Sequence, residues 1–313
     1  MTAVLILNYN NVEDTQNCIE SVKLYNTAEI RFYIVDNGSN RPHVVPLLEK
    51  FLRKLFKDDY TIINDGDIIQ EYKQVIYIRS NNNDGYARGN NKGLKYIYQD
   101  EAIDNVLILN NDVLFVEDII PSLIKNLNVL PRCGFISPIL YHRDLKEIDY
   151  NCARLNHTRK DFLLLHLLLM QNFCGFKNKE TRSRQILKTH PNFILSPYFE
   201  IEMPSGSCML FKKDMFRKIG SFDPNTFLYY EENILHKKIQ AENLKNYLIP
   251  SLKCIHLGGM STQNSPSAFI KIKSLESALY YANNYVGFNR IQKIIFRCSI
   301  NMAKFLIMLK NRK

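Results

Sequence analysis

The chain has 313 residues with a composition ordinary for a soluble globular protein, long enough for a full core as one large α/β domain or one with a small appendage. Its seven cysteines are odd in number, widely spaced and without a C-x-x-C pair, which excludes a disulfide framework or a zinc site and fits a reducing cytoplasm; no apolar stretch reaches the 18 residues of a transmembrane helix. The net charge of +10 is concentrated at the end of the chain: after Glu276 there is no acid, while Arg290, Lys293, Arg297, Lys304, Lys310, Arg312 and Lys313 follow, a tail that asks for an anionic partner, either a membrane surface or nucleic acid.

The first ten residues carry no basic n-region and no cleavage site, and read as a strand (Ala3 to Leu7) running into Asn8-Tyr9-Asn10-Asn11. A helix over Glu13 to Tyr25 follows. A second strand over Ile30 to Val35 closes in Asp36-Asn37-Gly38-Ser39, and Val44 to Phe56 has apolar residues at helical spacing. Residues 57–74 read as an elaborated polar loop; their acidic positions lack the spacing of a calcium loop. A third strand, Val75 to Ile78, leads to three glycines, Gly85, Gly89 and Gly93, that open a helix to Tyr98. Glycines one turn apart permit close backbone approach, to a ligand or to the neighbouring strand. Arg88 is a cation at the start of that helix, unfavourable for its dipole and a hint of an anion.

Val106 to Leu109 reads as a fourth strand, buried on both faces, that spills Asn110, Asn111 and Asp112 from its carboxyl end, where open α/β sheets bind ligands. Asp112 supplies a hard oxygen of the kind Mg²⁺ or Mn²⁺ takes beside substrate phosphates. The alternative is a helix N-cap, since an apolar run follows at Ile119. A helix over Ile119 to Leu127 and a fifth strand over Gly134 to Ile139 complete a β-α alternation that specifies a mostly parallel sheet with helices on both faces.

The pattern then changes. Phe162 to Met170 is a greasy run among cations including Lys177, Lys179, Arg182 and Arg184, either a buried helix or a segment against a membrane or an acceptor groove. Pro204 to Phe211 reads as a strand entered through the small residues Ser205, Gly206 and Ser207. Glu231 and Glu232 head a helix to Ala241, after an apolar run that would desolvate and tune a general base. His256 stands beside Gly258 and Gly259, an imidazole in a permissive turn and so a candidate metal ligand.

Taken in order, strand–Asn8-Tyr9-Asn10, Asp36-Asn37-Gly38-Ser39, the glycine segment 82–93, Leu109-Asn110-Asn111-Asp112-Val113, Gly206-Ser207, Tyr229 to Glu232 and His256 to Ser261 resemble glycosyltransferase family 2, most closely the rhamnosyltransferase-like enzymes of bacterial polysaccharide assembly. The resemblance covers residues 3 to about 262. It implies a GT-A fold in 1–262, with a nucleotide-sugar half over 1–140, a catalytic and acceptor half over 141–262 and an insertion over 141–200, followed by a C-terminal amphipathic helical extension over 263–313. It further implies a nucleotide-diphospho-sugar donor (UDP- or dTDP-), a divalent metal, Mg²⁺ or Mn²⁺, and inverting transfer of a sugar such as rhamnose to an acceptor hydroxyl. Carried onto this chain, Asp36 would bind the donor's base, and Asn8, Gly85, Arg88 and Asn111 would line the nucleotide pocket. Asp112, the surviving carboxylate of the family's D-x-D, and His256 would hold the metal. Glu232 would be the base, with Glu231, Gly206 and Ser207 near the acceptor. Glu232 stands where the family has Asp, and Lys238 where it has Arg.

Ile291, Ile294, Ile295, Cys298, Met302, Phe305 and Leu309 share one helical face and the cations another, as in a membrane-surface anchor; the alternative is a terminal helix packed on the body. The expectation is an enzyme peripheral on the inner face of the cell membrane, acting on a lipid-linked glycan and not on nucleic acid. A catalytically silent, membrane-associated subunit that binds a partner enzyme is the competing reading, and a sugar-1-phosphate nucleotidyltransferase would need a Gly-rich basic loop after the first strand, where Asn8-Tyr9-Asn10 stands.

Overall fold

The computed structural model describes residues 1–167, 185–258 and 267–311. In chain order the helices are α1 (Val12–Tyr25), α2 (Val44–Phe56), α3 (Gly85–Ile97), α4 (Ile120–Val129), α5 (Arg159–His166), α6 (Ile186–Thr189), α7 (Lys213–Lys218), α8 (Glu231–Ala241), α9 (Ser267–Asn284) and α10 (Arg290–Lys310). The strands are β1 (Thr2–Asn8), β2 (Ile30–Asn37), β3 (Tyr60–Asn64), β4 (Val75–Ser80), β5 (Asn105–Asn110), β6 (Val113–Phe115), β7 (Cys133–Tyr141), β8 (Ala153–Arg154), β9 (Phe199–Ile201), β10 (Met203–Pro204), β11 (Cys208–Lys212) and β12 (Lys245–His256).

Among the described residues one large sheet runs β3-β4-β2-β1-β5-β11-β7-β12-β6, with β9 beside β12. Its first five strands are parallel. Val106 to Leu109 are at most 1% exposed, as a strand covered on both faces requires. One face carries α1, α2 and α4, with Val22, Leu48, Leu52 and Leu123 against Ile6, Ile34 and Leu107. The other carries α3, α7 and α8, with Leu94, Phe216 and Leu235 against Leu5, Val35 and Ile108. A Cβ at Gly93 would lie 2.3 Å from the Leu5 side chain, so helix–sheet packing is what that glycine serves.

Strands β1, β2, β4 and β5 follow the sequence expectation closely; the departures are short strands. β3 lies inside the stretch 57–74 expected to be a loop, a short edge strand paired only with β4, so its side chains carry little of the alternation that marks a half-buried strand. β6 and β9 are three-residue strands, too short for a periodic signal.

The C-terminal hairpin of α9 and α10 packs on α5 and on the start of α8 through Phe162, Ile234, Tyr281, Phe288, Phe296 and Ile300. The described part of the 162–170 run is thus α5, with Phe162 and His166 buried; residues 168–170 and the cations Lys177, Lys179, Arg182 and Arg184 lie outside the described residues, as does the expected boundary at 262. In α10 the inward residues are Phe296, Ile300 and Ala303, whereas the apolar stripe picked out by periodicity faces outward: Ile291 is 69% exposed, Ile294 63% and Phe305 52%. Among the described residues no helix is long and apolar enough to cross a membrane.

Candidate active site

The carboxyl ends of β1, β2 and β5 and the turn before β11 form one wall of a cavity of about 330 Å³; the loop before α8 and the first turns of α8 and α9 form the other. This is the crevice beyond the strand ends where α/β sheets place their ligands.

The strand-end wall is polar. Asn8 and Asp36 stand in register on neighbouring parallel strands, and Asn8 Nδ2 donates to Asp36 Oδ2 at 2.7 Å. Asp36 also accepts from the Ser39 backbone N–H and hydroxyl at 2.9 and 2.7 Å, and Asn8 Oδ1 accepts from Thr15 at 2.9 Å. Both residues are at most 1% exposed, so they brace the wall from behind, and Tyr9 and Asn37 line the space itself. Asn37 Nδ2 donates to Asn83 Oδ1 at 3.0 Å and to the Gly85 carbonyl at 3.1 Å. Asn111 reaches the Thr15 hydroxyl at 3.0 Å.

Asp112 is not a helix cap. The chain passes from it straight into β6, and α4 begins only at Ile120. The antiparallel pairing of β6 with β12 sets His256 opposite Val113 and so brings it beside Asp112, with Nε2 3.6 Å from Asp112 Oδ2. On its other side His256 Nδ1 is 3.0 Å from Asp149 Oδ2, and Nε2 is 3.3 Å from the Ser207 hydroxyl. Burial alone would lower the imidazole pKa, but Asp112 and Asp149 together raise it to about 9. The Asp149 carboxyl, opposed by burial, is held below its ordinary value by the bond to His256. Once the Nε2 proton is released, the donor set suits a divalent cation: a hard carboxylate oxygen, and an imidazole whose far nitrogen is oriented by a second carboxylate, the arrangement that fixes metal-ligating histidines.

The opposite wall is aromatic and acidic. Leu228, Tyr229, Phe269 and Ile270 line it, and the two glutamates project from the first turn of α8. Glu231 is 5% exposed and bonded to Thr226; its Oε1 has no hydrogen-bond partner among the described residues. Burial, and then the charge of Glu232, push its pKa up to about 8. Glu232 is more open, its Oε1 accepting from the Gly206 N–H at 3.1 Å with Arg154 Nη2 3.9 Å away. A Cβ at position 206 would fall 2.8 Å from that oxygen and 3.0 Å from the Tyr86 hydroxyl, so a larger residue there would push both side chains aside. Tyr86, half-buried beside Glu232, donates to the Gly206 carbonyl at 2.7 Å.

Two residues expected in the nucleotide pocket also touch this second wall, Gly85 from within the cavity lining and Arg88 from outside it. Gly85 (φ 82°) lets the loop approach so closely that a Cβ would meet the Phe227 carbonyl oxygen at 2.1 Å. Arg88 is exposed and outside the cavity lining, its Nε donating to the Pro224 carbonyl at 2.6 Å; the anion that its place at a helix start suggested is a neutral carbonyl of the loop. Lys238 donates to the Ser221 and Gly220 carbonyls at 2.7 and 3.2 Å, bracing the same loop at its base. The sequence gives no role in the site to Asp149, Tyr86 or Phe269, and marks Arg154 only as one cation among those around the 162–170 run. Asp149 and Arg154 lie in the segment 141–200, outside the motifs, Phe269 beyond them, and Tyr86 inside a segment read for its glycines.

A family model described as Glycosyl transferase family 2 matches residues 3–220. The chain is 24% identical over 307 residues to the low-salt glycan biosynthesis hexosyltransferase Agl10 of Haloferax volcanii, covering 97% of this chain and 81% of that protein. It is 22% identical over 236 residues to an N-acetylglucosaminyl-diphospho-decaprenol L-rhamnosyltransferase of Mycobacterium tuberculosis, covering 71% of each. In fold it is similar, with a TM-score of 0.54 and 11% identity, to a mannosyltransferase from Pyrobaculum calidifontis solved with GDP-Man and Mn²⁺, covering 96% of this chain and 74% of that one.

Proposed function

The chain belongs to glycosyl transferase family 2, and from that membership we propose an inverting, metal-dependent transfer of a sugar from a nucleotide-diphospho-sugar to a hydroxyl of a glycan acceptor. The observation that carries it is the shared cavity. Asp112 and His256, backed by Asp149, stand on one wall, and the glutamate pair stands on the other.

Asp112 and His256 would hold the cation, which when bound would offset charge on the departing nucleoside diphosphate. Among the described residues no set of three acidic, His or Cys groups gathers to hold a metal by itself, so the remaining ligands would be diphosphate oxygens and water. The nucleotide would lie along Tyr9, Asn37 and Asn111, in a wall whose hydrogen bonds Asn8 and Asp36 keep in place. Glu232 would take the proton from the acceptor hydroxyl. Burial and the neighbouring Glu232, which push the Glu231 pKa up to about 8, favour the neutral form of Glu231 beside that base. An in-line attack assisted by one base needs no protein nucleophile.

A lipid-linked acceptor is supported by the diphospho-decaprenol in the name of the mycobacterial relative and by the outward stripe of α10. That stripe, with Arg290, Arg297 and Lys310 around it and no acid after Glu276, suits an anionic bilayer on the cytoplasmic side. The sugar would be rhamnose, carried by dTDP or UDP, for a bacterial surface polysaccharide.

Calorimetry with UDP, dTDP and GDP, each with Mn²⁺ and with EDTA, tests the site. Metal-dependent binding of one nucleotide, abolished in Asp112→Ala, supports the reading and names the donor class. Well-folded protein that binds none of them overturns it. Cosedimentation with phosphatidylglycerol vesicles, lost in Ile294→Asp/Phe305→Asp, tests the membrane face.

A further inference from the structure

The turn that presents the glutamate pair is built against its own backbone preference. Tyr229 and Tyr230, immediately before Glu231, have φ of 71° and 72°, a left-handed pair in which neither residue is glycine. L side chains rarely adopt that conformation, and it persists where the surroundings dictate it.

Those surroundings come from the C-terminal hairpin and α5. The Tyr230 ring stacks on Tyr281 of α9, centroids 5.6 Å apart at 21°, and meets Phe162 of α5 edge-on at 5.7 Å. Its hydroxyl lies 3.0 Å from His166 Nε2. The Tyr281 hydroxyl is 3.0 Å from Asn156 Nδ2, and Asn156 Oδ1 accepts from Asn233, in the first turn of α8, at 2.7 Å. At the other end of the same loop Asp223 accepts from Tyr280 and Tyr285 at 2.9 and 2.5 Å. One helix and the residue just past it therefore hold both ends of the segment that carries Glu231 and Glu232.

We propose that Tyr281 is a positioning residue for sugar transfer: its ring on Tyr230 and its hydroxyl on the Asn156–Asn233 bridge hold the left-handed turn that aims Glu232 at the acceptor. The hairpin thereby completes the catalytic wall as well as presenting a face to the bilayer. This rests on Glu232 being the base. It assigns a role in turnover to a residue that touches neither substrate. A tyrosine suits the place because the ring fills the aromatic stack while the hydroxyl reaches the polar bridge behind it.

The test pairs steady-state kinetics with hydrogen exchange. Tyr281→Ala should lower kcat by about 10- to 100-fold, the cost of a misaimed group, with nucleotide affinity and donor KM held within about twofold. Tyr281→Phe, which keeps the stack, should restore kcat to within about threefold of wild type. Exchange in a peptide spanning 222–235 should rise strongly in Tyr281→Ala and only slightly in Tyr281→Phe, which loses the bond to Asn156 alone, with β1 and β5 protected in both. If Tyr281→Ala unfolds, the double variant Tyr280→Phe/Tyr285→Phe removes only the two hydroxyls on Asp223, and should loosen the same peptide and slow turnover. Normal turnover and normal exchange in a well-folded Tyr281→Ala, or in the double variant if that is the one that folds, overturns the inference. A wild type that binds nucleotide but transfers nothing overturns the reading of Glu232 itself, a different failure from normal turnover in the variants.

Discussion

The two walls of the cavity are held in place by different means. On the strand-end wall each functional side chain is fixed by the next strand: Asn8 lies beside Asp36 because β1 and β2 run in parallel register, and Asn111 reaches Thr15 on the helix that follows β1. On the loop wall nothing local suffices. Tyr230 needs Tyr281, Asp223 needs Tyr285, and Glu232 is met by the backbone of Gly206. A wall that the sheet itself rigidifies suits a donor bound the same way every time. A wall assembled from remote elements can be shaped to one acceptor by changing α5, α9 and the segment between β7 and β9.

Replacing Glu232, the proposed base, should separate the walls most sharply. Glu232→Gln is expected to cut kcat by about 10²- to 10⁴-fold, the usual worth of a general base, while metal-dependent nucleotide binding stays at wild-type strength. Turnover that survives would place the base elsewhere and remove the chemical asymmetry between the walls.

Glu231→Gln probes the same wall through stability. With a folded pKa of about 8 against an ordinary 4.5, the native state holds a proton that the unfolded chain releases, so this group's contribution is complete below about 4.5 and is lost as pH rises through about 8. The wild type should lose up to about 1.4 kcal/mol per pH unit in that window relative to Glu231→Gln. Urea midpoints of the two proteins between pH 5 and 8 read this directly, and parallel curves would refute the burial of a neutral acid here. On the other wall, Asp149→Asn should weaken Mn²⁺-dependent nucleotide binding by about 10- to 100-fold, as loss of a carboxylate behind a metal-bound histidine does. The KM for the acceptor should not move.

The same contrast explains what the sequence discloses. The parallel strands are continuous apolar runs ending in amides and carboxylates, so β1, β2, β4, β5 and the position of Asp112 are legible, as is α8 with its glutamate pair. His256 is legible as a residue type, but its place beside Asp112 depends on β6, a strand of three residues. Asp149 and Arg154 become neighbours of the site only through tertiary packing, and no spacing announces them. The apolar stripe of α10 is visible as a period; which face turns inward is decided by Phe296 and Ile300 meeting α5 and α9, information that no single helix carries. Arg88 shows the limit most plainly, because its charge suggested an anion and its partner is a carbonyl.

Arg88 therefore offers the finest test of where one wall ends and the other begins. Its Nε donates to the Pro224 carbonyl at 2.6 Å, from an exposed position at the start of the loop that carries the glutamates. A single exposed hydrogen bond is worth about 0.5 to 1.5 kcal/mol, so Arg88→Ala should slow turnover by roughly two- to tenfold and leave nucleotide affinity alone. Arg88→Lys keeps a donor within reach of the carbonyl and should recover most of the rate. The opposite pattern, weaker nucleotide binding that neither variant rescues and that steepens with salt, would mean that the guanidinium leaves Pro224 to meet the diphosphate, in the planar bidentate manner a lysine cannot copy. In that event the donor itself would release one tether of the loop on binding, and the two walls, distinct in how they are built, would be coupled through this one side chain.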